Sequence, residues 1–381
     1  MKITDIKILK MSAQPHQSDT NNWLFVKIYT DSGIYGVGEG SLQYKDAALE
    51  SEILDFGKFL IDKDPFEIEF IWNSLYRRVT WTGGAVTMSA ISAIDLALWD
   101  IKAKSLDVPV YQLLGGKVRN RVPVYANGWF SGSITPEDHS KAAENIINQG
   151  YKCLKFYPFQ SKFNIENKDI IQGINLIDSV RETVGNDIEI AVDIRARIDY
   201  GSSLKVLNKL LPYDIAWVEE PLPFENTESL GKLSQSTSIP LSAGEQLYNR
   251  WEFQKLFDSR SVSIIQPDIC HAGGISELKK ISSAAETYYM SVAPHNSNGP
   301  ISTIASLHLD MSITNCFKQE IFVSFLDKYR KVLTNDINIQ DGYASISEEP
   351  GWGTDINEES LKEFPPSDYI PIESEPYTDF F

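Results

Sequence analysis

The stretch IEIAVDIRARIDY, residues 188–200, begins as an apolar run typical of a buried strand and ends among charged residues. Asp193 closes the apolar run, and Arg195 and Arg197 follow it. Because side chains alternate across a strand, Asp193 and Arg195 are predicted to lie on the same side. Whatever binds at this strand end therefore meets both a carboxylate and a guanidinium group.

Seven further apolar runs share this pattern, with amphipathic stretches between them. Near-continuous apolar strands that alternate with helices predict a parallel sheet covered on both faces. Eight such units over about 210 residues favour an α/β fold of the (β/α)8 type, a modified TIM barrel. A doubly wound sheet is the alternative, but it usually carries a Gly-rich phosphate turn. The nearest candidate, HAGGIS at 271–276, is interpreted as an ordinary tight loop. The eight runs are VPVYAN (122–127), KCLKFY (152–157), IEIAVDI (188–194), IAWVEE (215–220), IPLSAGE (239–245), VSIIQPD (262–268), MSVAPH (290–295) and QEIFVSF (319–325).

The N-terminal part of the chain has a different pattern. Residues 1–40 alternate like strands, with a hairpin signal at DSG (31–33). Residues from about 43 to 115 follow a helical spacing instead. We predict an α+β capping domain at 1–118, a barrel domain at 119–345, and a Pro- and acid-rich segment at 346–381 that returns to the cap.

The composition excludes several classes of partner. The chain has 381 residues, 42% of them hydrophobic, which is ordinary for a soluble globular protein. Its net charge of −17 argues against nucleic acid and anionic membranes as partners. No apolar run approaches the roughly 20 residues that span a bilayer, and no signal peptide is evident. The three cysteines are far apart, which suits a reducing compartment, so we expect a cytoplasmic protein.

Polar residues close most of the predicted barrel strands, on the edge where barrel enzymes carry their chemistry. Asp193, Glu219 and Glu245 close three successive strands at intervals of 26 residues, so they are predicted at equivalent heights. Three converging carboxylates repel one another, and a hard divalent cation such as Mg²⁺ resolves that repulsion. The other strand ends carry Lys155 and Tyr157 (second strand), Asp268 (sixth), His295 (seventh) and Glu320 (eighth).

Five motifs at these strand ends carry a resemblance to a known family. They are VDIRAR (192–197), WVEEPLP (217–223), SAGEQLYNRWEF (242–253), IIQPDICHAGGI (264–275) and APHNSNGPI (293–301). The chain resembles the mandelate racemase subgroup of the enolase superfamily, and within it the acid-sugar dehydratases such as galactonate dehydratase. The resemblance covers nearly the whole chain, and the five motifs together are highly specific.

The resemblance implies a role for each strand-end residue. Asp193, Glu219 and Glu245 are expected to hold one Mg²⁺ per subunit. His295 matches the general base and Asp268 its partner, and Glu320 matches the acid that hydrogen-bonds the substrate carboxylate. Removing a proton beside a carboxylate builds a doubly charged enediolate, which a metal ion stabilises by neutralising the charge as it forms. A positioned base then adds roughly 10²–10⁴-fold.

Two positions depart from the pattern of the resembling members. Members that act from the opposite face usually carry K-x-K after the second strand, whereas this chain has Lys155 and then Tyr157. Galactonate dehydratase-like members place a proton-donating histidine two residues after the first metal ligand, where this chain has Arg195, a poor proton donor. We hypothesise that Arg195 contacts Tyr157 and lowers its pKa, so that the tyrosine acts as acid or base. The alternative is that Arg195 binds a substrate hydroxyl or carboxylate while Tyr157 packs.

The cap is expected to close the barrel mouth and to select the substrate through two loops. One loop contains His16, Gln17 and Trp23, and the other contains Trp81 and Thr82. Their mixture of aromatic and polar groups suits a hydroxylated acid better than an apolar one. The resemblance implies that these two loops contact the substrate, and the alternative for each of the five residues is that it only fills a surface loop.

These observations predict an enzyme that removes the α-proton of a sugar acid (an aldonate). The expected outcome is loss of water to give a 2-keto-3-deoxy sugar acid. One alternative is a cycloisomerase that opens an anhydro-sugar acid of the 3,6-anhydrogalactonate type, and another is a racemase or epimerase. A sugar-acid-binding protein without activity is a third. The resemblance also implies that the chain forms a homo-oligomer, either a dimer or an octamer. The expected binding partner is a small molecule, the sugar acid substrate.

Overall fold

A three-stranded antiparallel sheet and the helices behind it form the N-terminal part of the fold. The computed structural model describes residues 1–13, 22–77, 80–159 and 163–367. Strands β1 (Ile3–Ser12), β2 (Asn22–Thr30) and β3 (Tyr35–Glu39) pair in that order, and the predicted DSG turn joins β2 to β3. The helices that follow are α1 (Asp46–Leu60), α2 (Ile68–Arg77), α3 (Ala85–Ser105) and the short α4 (Val110–Leu113).

Helix α3 is the centre of this cap. Most of its residues between Met88 and Ala103 are buried. Strand β3 carries glycine at alternate positions, and a Cβ on Gly38 would lie only 1.9 Å from the carbonyl oxygen of Ala93. The missing side chain therefore lets α3 pack directly against the backbone of the sheet.

Eight parallel strands follow, one for each predicted apolar run. They are β4 (Val122–Asn127), β5 (Cys153–Phe156), β6 (Glu189–Asp193), β7 (Ile215–Glu219), β8 (Leu241–Ala243), β9 (Ile264–Ile265), β10 (Ser291–Val292) and β11 (Gln319–Phe322). The helices between them are α5 (Pro136–Asn148), α6 (Asn167–Val184), α7 (Tyr200–Leu210), α8 (Thr227–Ser234), α9 (Arg250–Ser259), α10 (Gly274–Thr287) and α11 (Pro300–Ser312). Short 3-10 turns occupy Leu211–Tyr213 and Val323–Phe325.

The eight strands close into a barrel. Strands β4 to β10 pair in chain order, and β11 pairs in parallel with β4. The last seam is closed beside β10, where the Phe317 amide donates to the Val292 carbonyl oxygen at 2.7 Å. Closure leaves no free edge among these strands, which confirms the predicted (β/α)8-type barrel and excludes the doubly wound sheet.

The segment after the barrel returns to the cap. Helix α12 (Leu326–Val332), the hairpin of β12 (Asn338–Gln340) and β13 (Tyr343–Ser345), and α13 (Glu358–Leu361) complete the described chain. Trp352 is buried and donates from its indole nitrogen to the Val37 carbonyl oxygen at 2.7 Å. Lys27 of β2 pairs with Glu358 at 3.0 Å. The boundaries at 118 and 345 stay predictions.

Two buried carboxylates of the cap bind the first turns of barrel helices. Glu39 accepts from the Gly299 amide at 2.5 Å and the Ser302 amide at 2.9 Å, at the start of α11. Asp95 of α3 accepts from the amide and the hydroxyl of Ser276, at the start of α10. Helix N-termini present unpaired amides and a positive partial charge, so both contacts fix the cap on the barrel. They also fix the two loops that precede α10 and α11.

The remaining sequence expectations on the chain as a whole concern thiols and membranes. Cys153 and Cys270 are buried and Cys316 is partly buried, and all three are free thiols, as predicted. Over the described ranges, no helix combines the length and apolar character that crossing a membrane requires.

Candidate active site

A cavity of about 330 Å³ lies where the barrel strands end. The barrel contributes side chains from the strand ends and from the loops before α10 and α11, and the cap contributes Leu42 and Gln43. The lining also includes Tyr157, Asp193, Arg195, Glu245, His271, His295, Ser297, Asn298, Phe322 and Phe325. The cavity therefore joins the predicted catalytic edge of the barrel to the loop after β3.

Asp193, Glu219 and Glu245 converge beside this cavity. Each offers a carboxylate oxygen, and the three oxygens lie within 4.8 Å of one another. Burial and the nearby charge of Glu219 raise the pKa of Asp193 well above its ordinary value. No other group of three or more potential metal ligands occurs in the part of the chain that the structure describes. A compact set of hard oxygen donors with one partly exposed member fits a divalent cation with open positions for other ligands.

Lys155 partly neutralises these carboxylates. Its ammonium group is buried and lies 2.5 Å from Glu219 Oε1, 2.7 Å from Glu320 Oε1 and 3.9 Å from Asp193 Oδ2. Burial alone would lower the pKa of Lys155, but Glu219 and Glu320 outweigh it and raise that pKa well above its ordinary value. Lys155 is therefore a fixed positive charge between the carboxylate cluster and Glu320.

His295 and Asp268 form a hydrogen-bonded pair. The Nδ1–H of His295 donates to Asp268 Oδ2 at 2.7 Å, and Nε2 lies 3.4 Å from Glu245 Oε2. Burial disfavours the charged imidazole, but Glu245 and the hydrogen bond to Asp268 raise the pKa of His295 to about 10. Asp268 also accepts from the Cys270 amide and the Asn298 side chain, which fixes its orientation. This geometry leaves Nε2 of His295 on the cavity side, beside the carboxylate cluster.

A second histidine at the site was missed from the sequence. His271 belongs to HAGGIS, which was interpreted as an ordinary loop, yet it lines the cavity. Its Nδ1 lies 2.9 Å from the hydroxyl of Ser89 on α3, and its Nε2 lies 3.8 Å from Asp268 Oδ2. Burial lowers the pKa of His271, so the ring is neutral and carries one N–H. The adjacent Asp268 carboxylate favours that proton on Nε2, with Ser89 donating to Nδ1.

Glu320 lies deep in the site and is fully paired. It accepts from Lys155, from the Asn127 side chain at 2.8 Å and from the Asn296 amide at 2.7 Å. Burial opposes its ionisation, but Lys155 and His295 lower the pKa of Glu320 below its ordinary value. These partners favour an ionised Glu320, and its role as an acid stays a prediction.

The hypothesis on Tyr157 and Arg195 is half right. The Arg195 guanidinium lies over the Tyr157 ring, 5.3 Å from its centroid, so the two residues meet as predicted. The predicted fall in the pKa of Tyr157 is wrong, because burial raises that pKa far above its ordinary value. The hydroxyl accepts from Asn127 Nδ2 at 2.7 Å, whereas the guanidinium covers the ring face. A buried phenol of this kind stays protonated.

The residues expected in the two cap loops contribute little to the described cavity. His16 and Gln17 lie outside the described residues. Trp23 belongs to β2 rather than to a loop, and it is buried against Phe325 and Tyr329. Trp81 is 87% exposed, and neither it nor the exposed Thr82 lines the cavity. The described cap residues that line it are instead Leu42 and Gln43, which follow β3.

Comparison with known proteins agrees with this geometry. Residues 4–115 match the family described as mandelate racemase / muconate lactonizing enzyme, N-terminal domain, and residues 138–360 match the enolase C-terminal domain-like family. A D-galactonate dehydratase of Xanthomonas campestris pv. campestris (strain B100) is 38% identical over 354 residues, 89% of this chain and 90% of the relative.

Solved structures give the same result. A member of the enolase superfamily from Salmonella Typhimurium superimposes with a TM-score of 0.90 and 32% identity, over 96% of this chain and 98% of the other. An enolase from Agrobacterium radiobacter, bound to Na and L-malate, superimposes with a TM-score of 0.86 and 31% identity, over 96% and 95% of the two chains.

Proposed function

Because the chain belongs to the mandelate racemase and muconate lactonizing enzyme family, we propose that it removes the α-proton of a sugar acid and eliminates water. The product is a 2-keto-3-deoxy sugar acid. The observation that carries this proposal is one cavity that brings the His295–Asp268 pair to 3.4 Å from the carboxylate cluster. The 38% identity to a D-galactonate dehydratase over most of both chains supports dehydration rather than cycloisomerisation or racemisation.

Asp193, Glu219 and Glu245 would hold one Mg²⁺. The donor set fits, since Mg²⁺ prefers carboxylate oxygens and keeps open positions for water and substrate. When bound, the ion supplies neutralisation of the negative charge that develops beside the substrate carboxylate. The clustering of three carboxylates around a single lysine also supports a further cation, because one ammonium group leaves the cluster with excess negative charge.

His295 would take the proton from C2 of the substrate. Asp268 holds the Nδ1–H of His295 at 2.7 Å. A cation on the cluster would cancel the charge of Glu245 that raises the pKa of His295, and the neutral ring would then carry its free electron pair on Nε2. The electron pair of the C2–H bond moves toward the carboxylate, and its return expels the hydroxyl at C3. His295 then carries the abstracted proton and can return it to the departing oxygen, which leaves as water. One histidine therefore serves both proton transfers, and no histidine is needed at position 195.

Lys155 and His271 would position the substrate, and Glu320 would hold Lys155 in place. The Lys155 ammonium group lies between the cluster and Glu320, where it can donate to a carboxylate oxygen of the substrate. Nε2–H of His271 is a neutral donor at the cavity wall, suited to a substrate hydroxyl. The resemblance further supports the proposal that the chain forms a homo-oligomer, either a dimer or an octamer. We also propose that it acts in the cytoplasm.

The experiment is incubation with a library of sugar acids in D₂O with Mg²⁺, followed by ¹H NMR. For at least one member we expect deuterium at C2 of the unreacted substrate and loss of water to a 2-keto-3-deoxy product that carries deuterium at C3. His295→Gln serves as the matched variant and should remove both signals. Binding without exchange for every sugar acid would reject the proposal. Exchange that leads to ring opening or to an epimer would replace dehydration by the corresponding reaction.

A further inference from the structure

A second cavity adjoins the first and is larger, about 730 Å³. Gln43, Arg195 and Glu245 line both cavities, so the two form one continuous site with an inner and an outer compartment. The outer compartment also contains Arg197 and the rings of Phe163 and Phe224. The reaction described above needs only the inner compartment, which leaves the outer one without a role.

The backbone at Arg195 is in the left-handed conformation, and the Arg195 side chain lines both compartments from this turn. Arg195 and Ala196 both have left-handed backbones, with φ of 60° and 53°. Residues other than glycine rarely adopt this conformation, and such residues cluster at functional sites. Two hydrogen bonds hold the turn: the Arg195 amide donates to Asp193 Oδ1 at 2.7 Å, and the Ala196 amide donates to the Glu220 carbonyl oxygen at 2.8 Å.

The Arg195 guanidinium forms no salt bridge with an acidic side chain of the described ranges, although its charge acts on the Asp193 carboxyl. Its side chain contacts the face of Tyr157. A guanidinium group is always charged and offers a planar fork of donors that matches carboxylate and phosphate oxygens. An exposed arginine held over an aromatic ring at a cavity wall is therefore prepared for an anionic ligand.

The charges of the outer compartment favour an anion over a neutral hydroxyl group. Its acidic residues are Glu245, which belongs to the carboxylate cluster, and the exposed Glu225. With Glu245 engaged by a cation, two arginines face one carboxylate. Phe163 and Phe224 add apolar surface to the same lining.

The anion bound there differs from the carboxylate that reacts. Arg197 lines only the outer compartment, whereas Asp193 and His295 line only the inner one. A group that contacts both Arg195 and Arg197 therefore lies in the outer compartment, beyond the reacting end of the substrate. We propose that Arg195 and Arg197 bind a second, terminal anionic group of the sugar acid. This inference rests on the proposed function and narrows its substrate class to sugar diacids or terminally phosphorylated sugar acids.

The test uses three substrates that differ only at the terminus remote from the reacting carboxylate. They are an aldonate, the matching aldarate and the matching aldonate phosphorylated on its terminal hydroxyl, in the stereochemistry that the C2 exchange screen identifies. For wild type we expect a higher kcat/KM for the aldarate or for the phosphorylated acid than for the aldonate. Whichever of the two is preferred identifies the anion as carboxylate or phosphate.

The variants Arg195→Gln and Arg197→Gln should each reduce that preference by roughly 10- to 100-fold, the effect of losing one charge-assisted hydrogen-bonded contact. Lys205→Gln is the matched control, because it removes an exposed positive charge on α7 and lines neither cavity. It should leave the preference unchanged. Arg195→Lys should retain part of it.

Two results would overturn the inference. One is a wild-type kcat/KM for the aldonate that equals or exceeds the values for both the aldarate and the phosphorylated acid. The other is an equal loss of kcat/KM on all three substrates in both glutamine variants, which would place the arginines in a common step. Failure of the proposed function has a different signature: wild type would then exchange the C2 proton of none of the sugar acids.

Discussion

Asp95→Asn is expected to reverse its effect on stability between acidic and neutral pH. Asp95 is 2% exposed, lies on α3 of the cap, and accepts from the Ser276 hydroxyl at 2.6 Å and the Ser276 amide at 3.1 Å. It thereby binds the first turn of α10 across the cap–barrel contact. Asparagine keeps one oxygen acceptor and nearly the same shape, but it cannot ionise. The substitution therefore separates the charge of Asp95 from its packing.

The magnitude follows from the burial of the carboxylate. Burial raises the pKa of Asp95 from 3.8 to about 7, although the hydrogen bonds from Ser276 oppose it. The pKa of Asp95 is higher in the folded protein than in the unfolded chain. The protonated carboxyl therefore contributes its full stabilisation below pH 3.8, and this stabilisation is lost progressively up to pH 7. Between pH 3.8 and pH 7 the loss amounts to about 4 kcal/mol at 1.36 kcal/mol per pH unit. Asparagine loses an acceptor worth about 1 kcal/mol at every pH.

Wild type should therefore be the more stable protein by about 1 kcal/mol at pH 3, and Asp95→Asn by about 3 kcal/mol at pH 7.5. Urea denaturation at four pH values between these limits, with EDTA present to remove metal linkage, measures both curves. The exposed Asp187→Asn is the control and should follow wild type throughout. Parallel curves for wild type and Asp95→Asn would show that Asp95 is ionised in the folded protein at all these pH values, and the reasoning from burial would be wrong.

Three further predictions concern the active site. His295→Gln should slow C2 proton exchange by about 10²–10⁴-fold while Mg²⁺ binding, measured by calorimetry, is retained; exchange within tenfold of wild type would remove His295 as the base. Lys155→Met should destabilise the Mg²⁺-free protein by about 3–5 kcal/mol, because Glu219 and Glu320 lose their positively charged partner. In denaturation experiments, saturating Mg²⁺ should restore part of the lost stability. Equal losses with and without Mg²⁺ would contradict the shared role in charge neutralisation. Ser89→Ala should raise KM by about 2- to 10-fold with little change in kcat, because it releases the ring of His271; a fall in kcat alone would place His271 in the chemical step.

The strand-end residues could be predicted from the sequence because barrel topology alone brings them together. The carboxyl ends of parallel strands share one edge, so Asp193, Glu219 and Glu245 converge whatever the loops do. The same reasoning placed His295 beside Asp268. His271 was missed because it lies beyond the strand, in the loop before α10. Its signal was its position three residues after Asp268, about one helical turn, which brings it back to the same carboxylate.

Properties that depend on loop conformation or on burial were not available from the sequence. Alternation correctly placed Tyr157 near Arg195, but the sign of the tyrosine pKa shift is set by burial, which the sequence does not give. Likewise, the exposed position of Trp81 and the buried position of Trp23 depend on how the cap folds onto the barrel. Sequence spacing therefore predicts which groups share an edge, whereas orientation and desolvation require coordinates.

The turn after β6 explains how this barrel can change its chemistry without losing its cation site. Asp193 is held by the backbone amide of residue 195, so that hydrogen bond persists whatever side chain the residue carries. The left-handed backbone at 195 restricts the choice, but a histidine, which is among the residues enriched there, and an arginine can both occupy it. Members that this chain resembles use a proton-donating histidine at this place. Under the proposed function, an arginine would exchange proton donation for a fixed positive charge, which would direct the position toward substrate selection and leave both proton transfers to His295.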